Sequence, residues 1–270
     1  MLRRGRTTAA VTLLLALGCV AAQIGYPLSH GGTRDWLTVA VVGFGAAAAL
    51  SHAAATRGVR FAAAFGATTA GIGLVAEAVG TETGFPFGCY DYAVGRLGPD
   101  LAGVPLVIPL AWTAGSYPVF VVATLVWRRR ATRIAAIATA MTGWDLYLDP
   151  QMVADGQWSW CAAGPTLPGL GPLAIPYSNY LGWLIVTAVM ATVILALADR
   201  ARPATGSPAV PVGLFCWTWL GSAVAHGLLL GNPNLHWSAL YGLVGMGTLG
   251  VPLLLAWSRR RSIRRTDMAR

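Results

Sequence analysis

The sequence predicts an all-α, polytopic membrane bundle of about eight transmembrane helices. Three observations predict it. The 270 residues are 56% hydrophobic and only 11% charged, with a mean hydropathy of +0.60, above what soluble domains usually carry. Several apolar runs reach the ~20 residues needed to cross a bilayer. All 19 basic residues are arginine, and they fall in the short segments between those runs, as membrane topology requires. They form no patch with interleaved aromatics, so the net charge of +9 points to topology, and no nucleic-acid partner is expected.

The first helix is expected at about 8–25, after an Arg-rich start. The same stretch resembles a signal peptide with a cleavage site near Ala21-Ala22, and Ala16-Leu17-Gly18-Cys19 resembles a poor lipobox. An uncleaved helix is preferred because it completes an even count. Further helices are expected at about 36–55, 61–79, 105–127, 132–149, 177–198, 209–230 and 236–257. Pro109 and Pro118 are expected to kink the fourth. One domain, 1–258, and a basic tail, 259–270, is the simplest division. A turn-rich segment from Thr81 to about Pro105 has the length and aromatic content of a loop that folds back onto the membrane face.

With eight helices, every arginine except Arg34 and Arg96 lies on the side of the two termini. The positive-inside rule therefore places both termini in the cytoplasm of a multi-pass cell-membrane protein. The acids divide the other way, with only Asp199 and Asp267 on the inner side. Cys89 and Cys161 share the outer side, and the sequence leaves open whether they pair. The four cysteines and four histidines show no metal-ligand spacing, and neither a metal nor an organic cofactor is expected.

The stretch that carries chemistry runs from Ala138 to Trp160. Its centre, Trp144-Asp145-Leu146-Tyr147-Leu148-Asp149-Pro150, sets two carboxylates at i, i+4 on one helix face. Pro150 disfavours helix at Asp149, so the pair is expected on the last turn, at the negative end of the helix dipole. Such a pair tends to hold one proton between its members. Glu77/Glu82 and Asp91 lie on segments able to converge with it, and each brings aromatics. A neutral acid beside π-faces suits protonation of an alkene to a carbocation. The plainer reading is a capped loop with interfacial tryptophans, which are ordinary in membrane proteins. No GxSxG, HExxH, P-loop or GxGxxG stands in a suitable context, and Gly71-Ile72-Gly73 and Gly245-Met246-Gly247 read as close helix packing.

Four blocks between about 77 and 185 carry a family resemblance. They are Glu82-Thr83-Gly84-Phe85-Pro86-Phe87-Gly88 with Tyr90-Asp91-Tyr92; Gly103-Val104-Pro105 with Ile108-Pro109-Leu110-Ala111-Trp112; Trp144-Asp145-Leu146 with Leu148-Asp149-Pro150-Gln151-Met152-Val153; and Ile175-Pro176 with Ser178-Asn179-Tyr180-Leu181-Gly182-Trp183. In content and order they resemble the carotenoid biosynthesis membrane proteins of the CruF type. Cys89 departs from that pattern, where a variable, often basic, residue is expected. The resemblance implies a carotenoid hydratase that adds water to the terminal C1,2 double bond of an acyclic ψ-end. The implied substrate is a long-chain carotenoid of the lycopene, γ-carotene or C50 type, with membrane lipid around it.

Chemistry assigns the roles within these blocks. Asp145 or Asp149 is the expected proton donor, with the other as its charged partner. Glu82 and Asp91 are expected to position or deprotonate water. Trp112, Trp144, Tyr92, Tyr147 and Phe87 are expected to bind the substrate and face the cation, and Asn179 to hold the water. Three rivals stay open: a carotenoid cyclase, which shares the protonation step; a proton-coupled transporter; and a carotenoid-binding protein without chemistry.

Overall fold

The computed structural model describes residues 2–161 and 164–268, with side chains described for 8–161 and 164–259. The side chains of 260–268, and residues 269–270 of the expected basic tail, lie outside the described residues. Eight long helices dominate the described residues: α1 (Leu2–Gly25), α2 (Gly31–Arg57), α3 (Val59–Thr83), α4 (Val107–Val126), α5 (Arg130–Ala154), α6 (Tyr177–Arg200), α7 (Ala209–Val224) and α8 (Leu235–Met268). A π-helical turn, Ala225–Leu229, extends α7. Seven of the eight are long and apolar enough to cross a membrane. The chain is thus an all-α, multi-pass membrane protein. α5 falls short on composition because it carries both aspartates, which lie inside the bundle.

α4 is the most enclosed apolar helix, 78% buried over its membrane window, and it touches α2, α3, α5, α7 and α8. α5 packs along α6 and α8. Its tightest approach is at Gly143, where an added Cβ would lie 2.3 Å from the Met246 nitrogen and 2.4 Å from the Gly245 carbonyl carbon. Backbone meets backbone there, the close packing expected of the Gly-Met-Gly segment. Pro109 falls in the first turn of α4, where its missing N–H costs no intrahelical bond. Pro118 lies inside.

The loops opposite the two termini fold back over one end of the bundle. β1 (Tyr90–Tyr92) pairs antiparallel with β4 (Trp158–Trp160), with Tyr90 opposite Trp160 and Tyr92 opposite Trp158. A Cys89–Cys161 disulfide closes the ladder at one end. A second, two-residue ladder joins β2 (Asp100–Leu101) to β3 (Val104–Pro105). Arg34 and Arg96, the two arginines set apart in the sequence, meet here. Arg34 bonds Asp155 at 2.9 Å, and Arg96 bonds Asp35 at 2.6 Å. The Asp35 hydrogen bond raises the Arg96 guanidinium above its ordinary value, outweighing its partial desolvation.

One expectation is corrected. Pro150 does not end α5, which continues to Ala154. A proline leaves the carbonyl four residues back without its helical donor, here that of Leu146. Ser238 of α8 supplies the missing bond, donating from Oγ to Leu146 O at 2.6 Å. His226, in the π-turn, holds Ser238 through Nδ1 at 2.9 Å and Gln151 through Nε2 at 3.0 Å. The aspartate pair therefore sits within the helix, with more than a turn of helix beyond it. Ser238→Ala should lower stability in detergent by about 1–3 kcal/mol, the cost of an unpaired buried carbonyl. Adding Pro150→Ala should recover part of that loss, because the new N–H reaches Leu146. Thermal midpoints of the single and double variants check this.

Candidate active site

Asp145 and Asp149 project from the same face of α5 and are fully enclosed, at 0% and 4% exposure. Asn179, on the first turn of α6, faces both. Its Nδ2 donates to Asp145 Oδ2 at 2.9 Å and to Asp149 Oδ2 in a very short bond. One amide group thus spends both its N–H bonds on the pair and fixes the two carboxyls side by side. Asp145 Oδ1 has no hydrogen-bond partner among the described residues.

A third buried acid lies across the cavity. Glu77, near the end of α3, is ringed by donors. Tyr90 and Tyr92 hydroxyls bond its Oε2 at 2.5 and 2.8 Å, and the Trp112 indole bonds Oε1 at 3.0 Å. Burial first, and then the Glu77 charge, push both tyrosine hydroxyls far above their ordinary value. They remain O–H donors at any physiological pH. Strand alternation explains the placement: Tyr90 and Tyr92 point inward on β1, as Trp158 and Trp160 do on β4.

The walls between the acids are aromatic. Trp112 stacks on Trp183 with centroids 4.0 Å apart and planes within 11°. Trp144 meets Trp183 edge-on at 5.9 Å. Trp144 can lie this close to α4 only because residue 115 is glycine; a Cβ there would stand 2.6 Å from the indole ring. Phe87, Leu148, Asp149 and Asn179 complete the lining with Trp158 and Trp160.

Of the residues singled out in the sequence, Asp145, Asp149, Asn179, Trp112, Trp144, Tyr92 and Phe87 come together. Three do not. Glu82 is exposed, because five residues beyond Glu77 is about 140° around the helix. Asp91 is exposed because it alternates with two inward tyrosines, and it lies 3.7 Å from Cys161 Sγ. Tyr147 points to the opposite face of α5, donating to Trp219 O at 3.0 Å and packing edge-on against His226. Sequence reasoning named Glu77 only as a neighbour of Glu82. The available signal was its position inside the apolar run, where an acid needs partners. Trp183 stands in the fourth of the resembling blocks, but only the fold shows that it faces the acids.

The fold and site define a polytopic membrane protein with carboxylates buried in an aromatic cavity. The carotenoid biosynthesis protein family model matches residues 37–249, and the chain belongs to that family. A bisanhydrobacterioruberin hydratase from Haloarcula japonica is 34% identical over 146 residues, which cover 49% of this chain and 47% of that relative. The match thus spans about half the relative's length. No solved structure gives a significant match.

The donor ring makes a structural prediction. Glu77→Gln should keep the fold, since the amide oxygen still accepts from Trp112 and the tyrosine hydroxyls can turn to accept its N–H groups. Glu77→Leu leaves three buried donors unpaired and should destabilise by about 1–3 kcal/mol for each one that finds no substitute. Detergent melting of purified protein compares the two.

Proposed function

We propose that this chain is a carotenoid hydratase, a hydro-lyase acting on the terminal C1,2 double bond of an acyclic ψ-end. The observation that carries the reading is the aspartate pair, clamped by Asn179 inside an aromatic-walled cavity. One proton held between Asp145 and Asp149 passes to the CH carbon of the terminal alkene. The electron pair of the double bond forms the new C–H bond and leaves a tertiary cation at the dimethyl-bearing carbon. Trp112, Trp144 and Trp183 present π-faces or edges around that position, and a face over a cation contributes about 0.5–2 kcal/mol. Glu77, held by three donors, supplies a fixed counter-charge across the cavity. Water adds its oxygen to the cation and returns a proton to the aspartate pair, which restores the acid. The cavity is water-sized, about 30 Å³, so a chain end enters by parting the aromatic walls.

The substrate proposed is a long-chain carotenoid, of the C50 or lycopene type. The family membership and the hydratase named among the relatives support this choice. The test is expression in a host that accumulates lycopene, and in one that accumulates the C50 precursor, followed by mass spectrometry of the pigment. Product heavier by one or two waters is expected from at least one host. Pigment of unchanged mass but altered chromophore would point instead to a cyclase. Asp145→Asn and Asp149→Asn should each lower turnover by about 10²-fold or more. Full turnover in both, with protein correctly inserted, would remove the pair from the mechanism.

We also propose that both termini are cytoplasmic and that the basic tail meets anionic lipid headgroups. The arginine distribution supports the orientation, as does a disulfide on the opposite side, where oxidising conditions let it persist. A fluorescent protein fused after Arg270 should fold and fluoresce in the cytoplasm. Alkaline phosphatase at the same place should be inactive; the reverse result would invert the topology.

A further inference from the structure

A hydratase buried in a membrane needs a route for water. The acid cavity is walled by tryptophan, yet it adjoins a larger crevice between α1, α2, α5 and α7, with Ala111, Trp144 and Leu148 lining both. The crevice has a volume of about 150 Å³, against the ~10–15 Å³ that one water requires. At its outer end it meets a pocket bounded by Arg34 and Asp155, with Tyr26, Gln151 and Leu230 common to the two. The three spaces thus run from the charged outer end of the bundle to Asp149.

Polar side chains interrupt the crevice's apolar lining. Thr38, Thr218 and Ser222 face the crevice beside Gln23. Gln23 Oε1 and Arg34 Nε have no hydrogen-bond partner among the described residues, and the Tyr26 hydroxyl, on a side chain only 5% exposed, lies beside Gln151 and Asp155. Buried polar atoms in native proteins are almost always satisfied, by protein or by water. Two unpaired buried atoms on the walls of these adjoining spaces mark them as hydrated.

We propose that water reaches the acid pair from the outer end of the bundle through this crevice, entering past Tyr26 and Gln151 and passing Trp144. The role of that water as reactant rests on the hydratase reading; the passage itself does not. Its test is thiol mapping in open membrane sheets, on a background with Cys19 and Cys216 replaced by serine. A small charged methanethiosulfonate attacks only thiols that ionise in water. Ser222→Cys should react, and Leu220→Cys, on the outside of α7 at 47% exposure, should not. Equal, slow reaction at both sites would overturn the passage.

The second arm measures supply. In heavy water, Ser222→Leu should lower the hydrated product at least fivefold, and deuterium in recovered substrate should fall with it, because the acid pair draws its deuterons through the same passage. Ser222→Ala, which leaves the space open, should hydrate at the wild-type rate. If Ser222→Leu, inserted at the wild-type level, hydrates as fast as Ser222→Ala, the crevice does not feed the site. Wild-type protein that forms no hydrate would refute the hydratase reading and leave the thiol result to judge the passage alone.

Discussion

Enclosure of the Asp145–Asp149 pair is the constraint on which the rest of the structure depends. An aspartate at a helix centre costs roughly 2.5–3.5 kcal/mol on insertion scales, and α5 carries two on one face. The bundle meets that cost by surrounding α5 with α4, α6 and α8 and by turning Asn179 onto both carboxyls. The helix that could least easily cross a membrane alone thereby becomes an interior one. The same arrangement that keeps the acids from lipid keeps bulk water away, and in that low-dielectric setting a shared proton and a fixed counter-charge act strongly.

Pro150 ties this site to the last two helices. A proline one residue after Asp149 would ordinarily break the helix and splay the pair. The Ser238 bond to Leu146 and the His226 link between Ser238 and Gln151 hold α5 through it. His226 sits where α7 widens to a π-turn, a feature that commonly places a side chain a regular helix would misdirect. α7 and α8, through His226 and Ser238, therefore support the helix that carries the acids.

Most of the fold was legible in the sequence because its physics is one-dimensional: apolar runs, arginines between them, turn residues in the loops. The misreadings share one cause, that each needed a third dimension. The end of α5 was misplaced because the proline rule is local, whereas the donor that overrides it lies 92 residues further along. Glu82 is the acid the sequence puts forward on this segment, yet it is Glu77, about 140° away around the helix, that faces the site. Tyr147 was grouped with the aspartates it neighbours, yet two residues from each it faces the other way. In the last two cases the helical period held the answer. The disulfide was different: two cysteines on one side of the membrane do not fix a pairing, and the β1–β4 register that brings them together depends on both loops.

The cavity also bears on why hydration and cyclisation are so hard to tell apart in a sequence. Both begin with the same proton and the same tertiary cation, and aromatic walls serve either. The outcome turns on whether a water or the chain's own double bond reaches the cation first. On the proposed reading, that contest is settled by small polar residues lining an approach, such as Thr218 and Ser222, and by the bulk of one partition, Trp144, seated on a glycine of the neighbouring helix. Residues of this kind carry no charge and form no motif. In a protein built this way, the acids define the class of reaction and the lining of the approach defines its product.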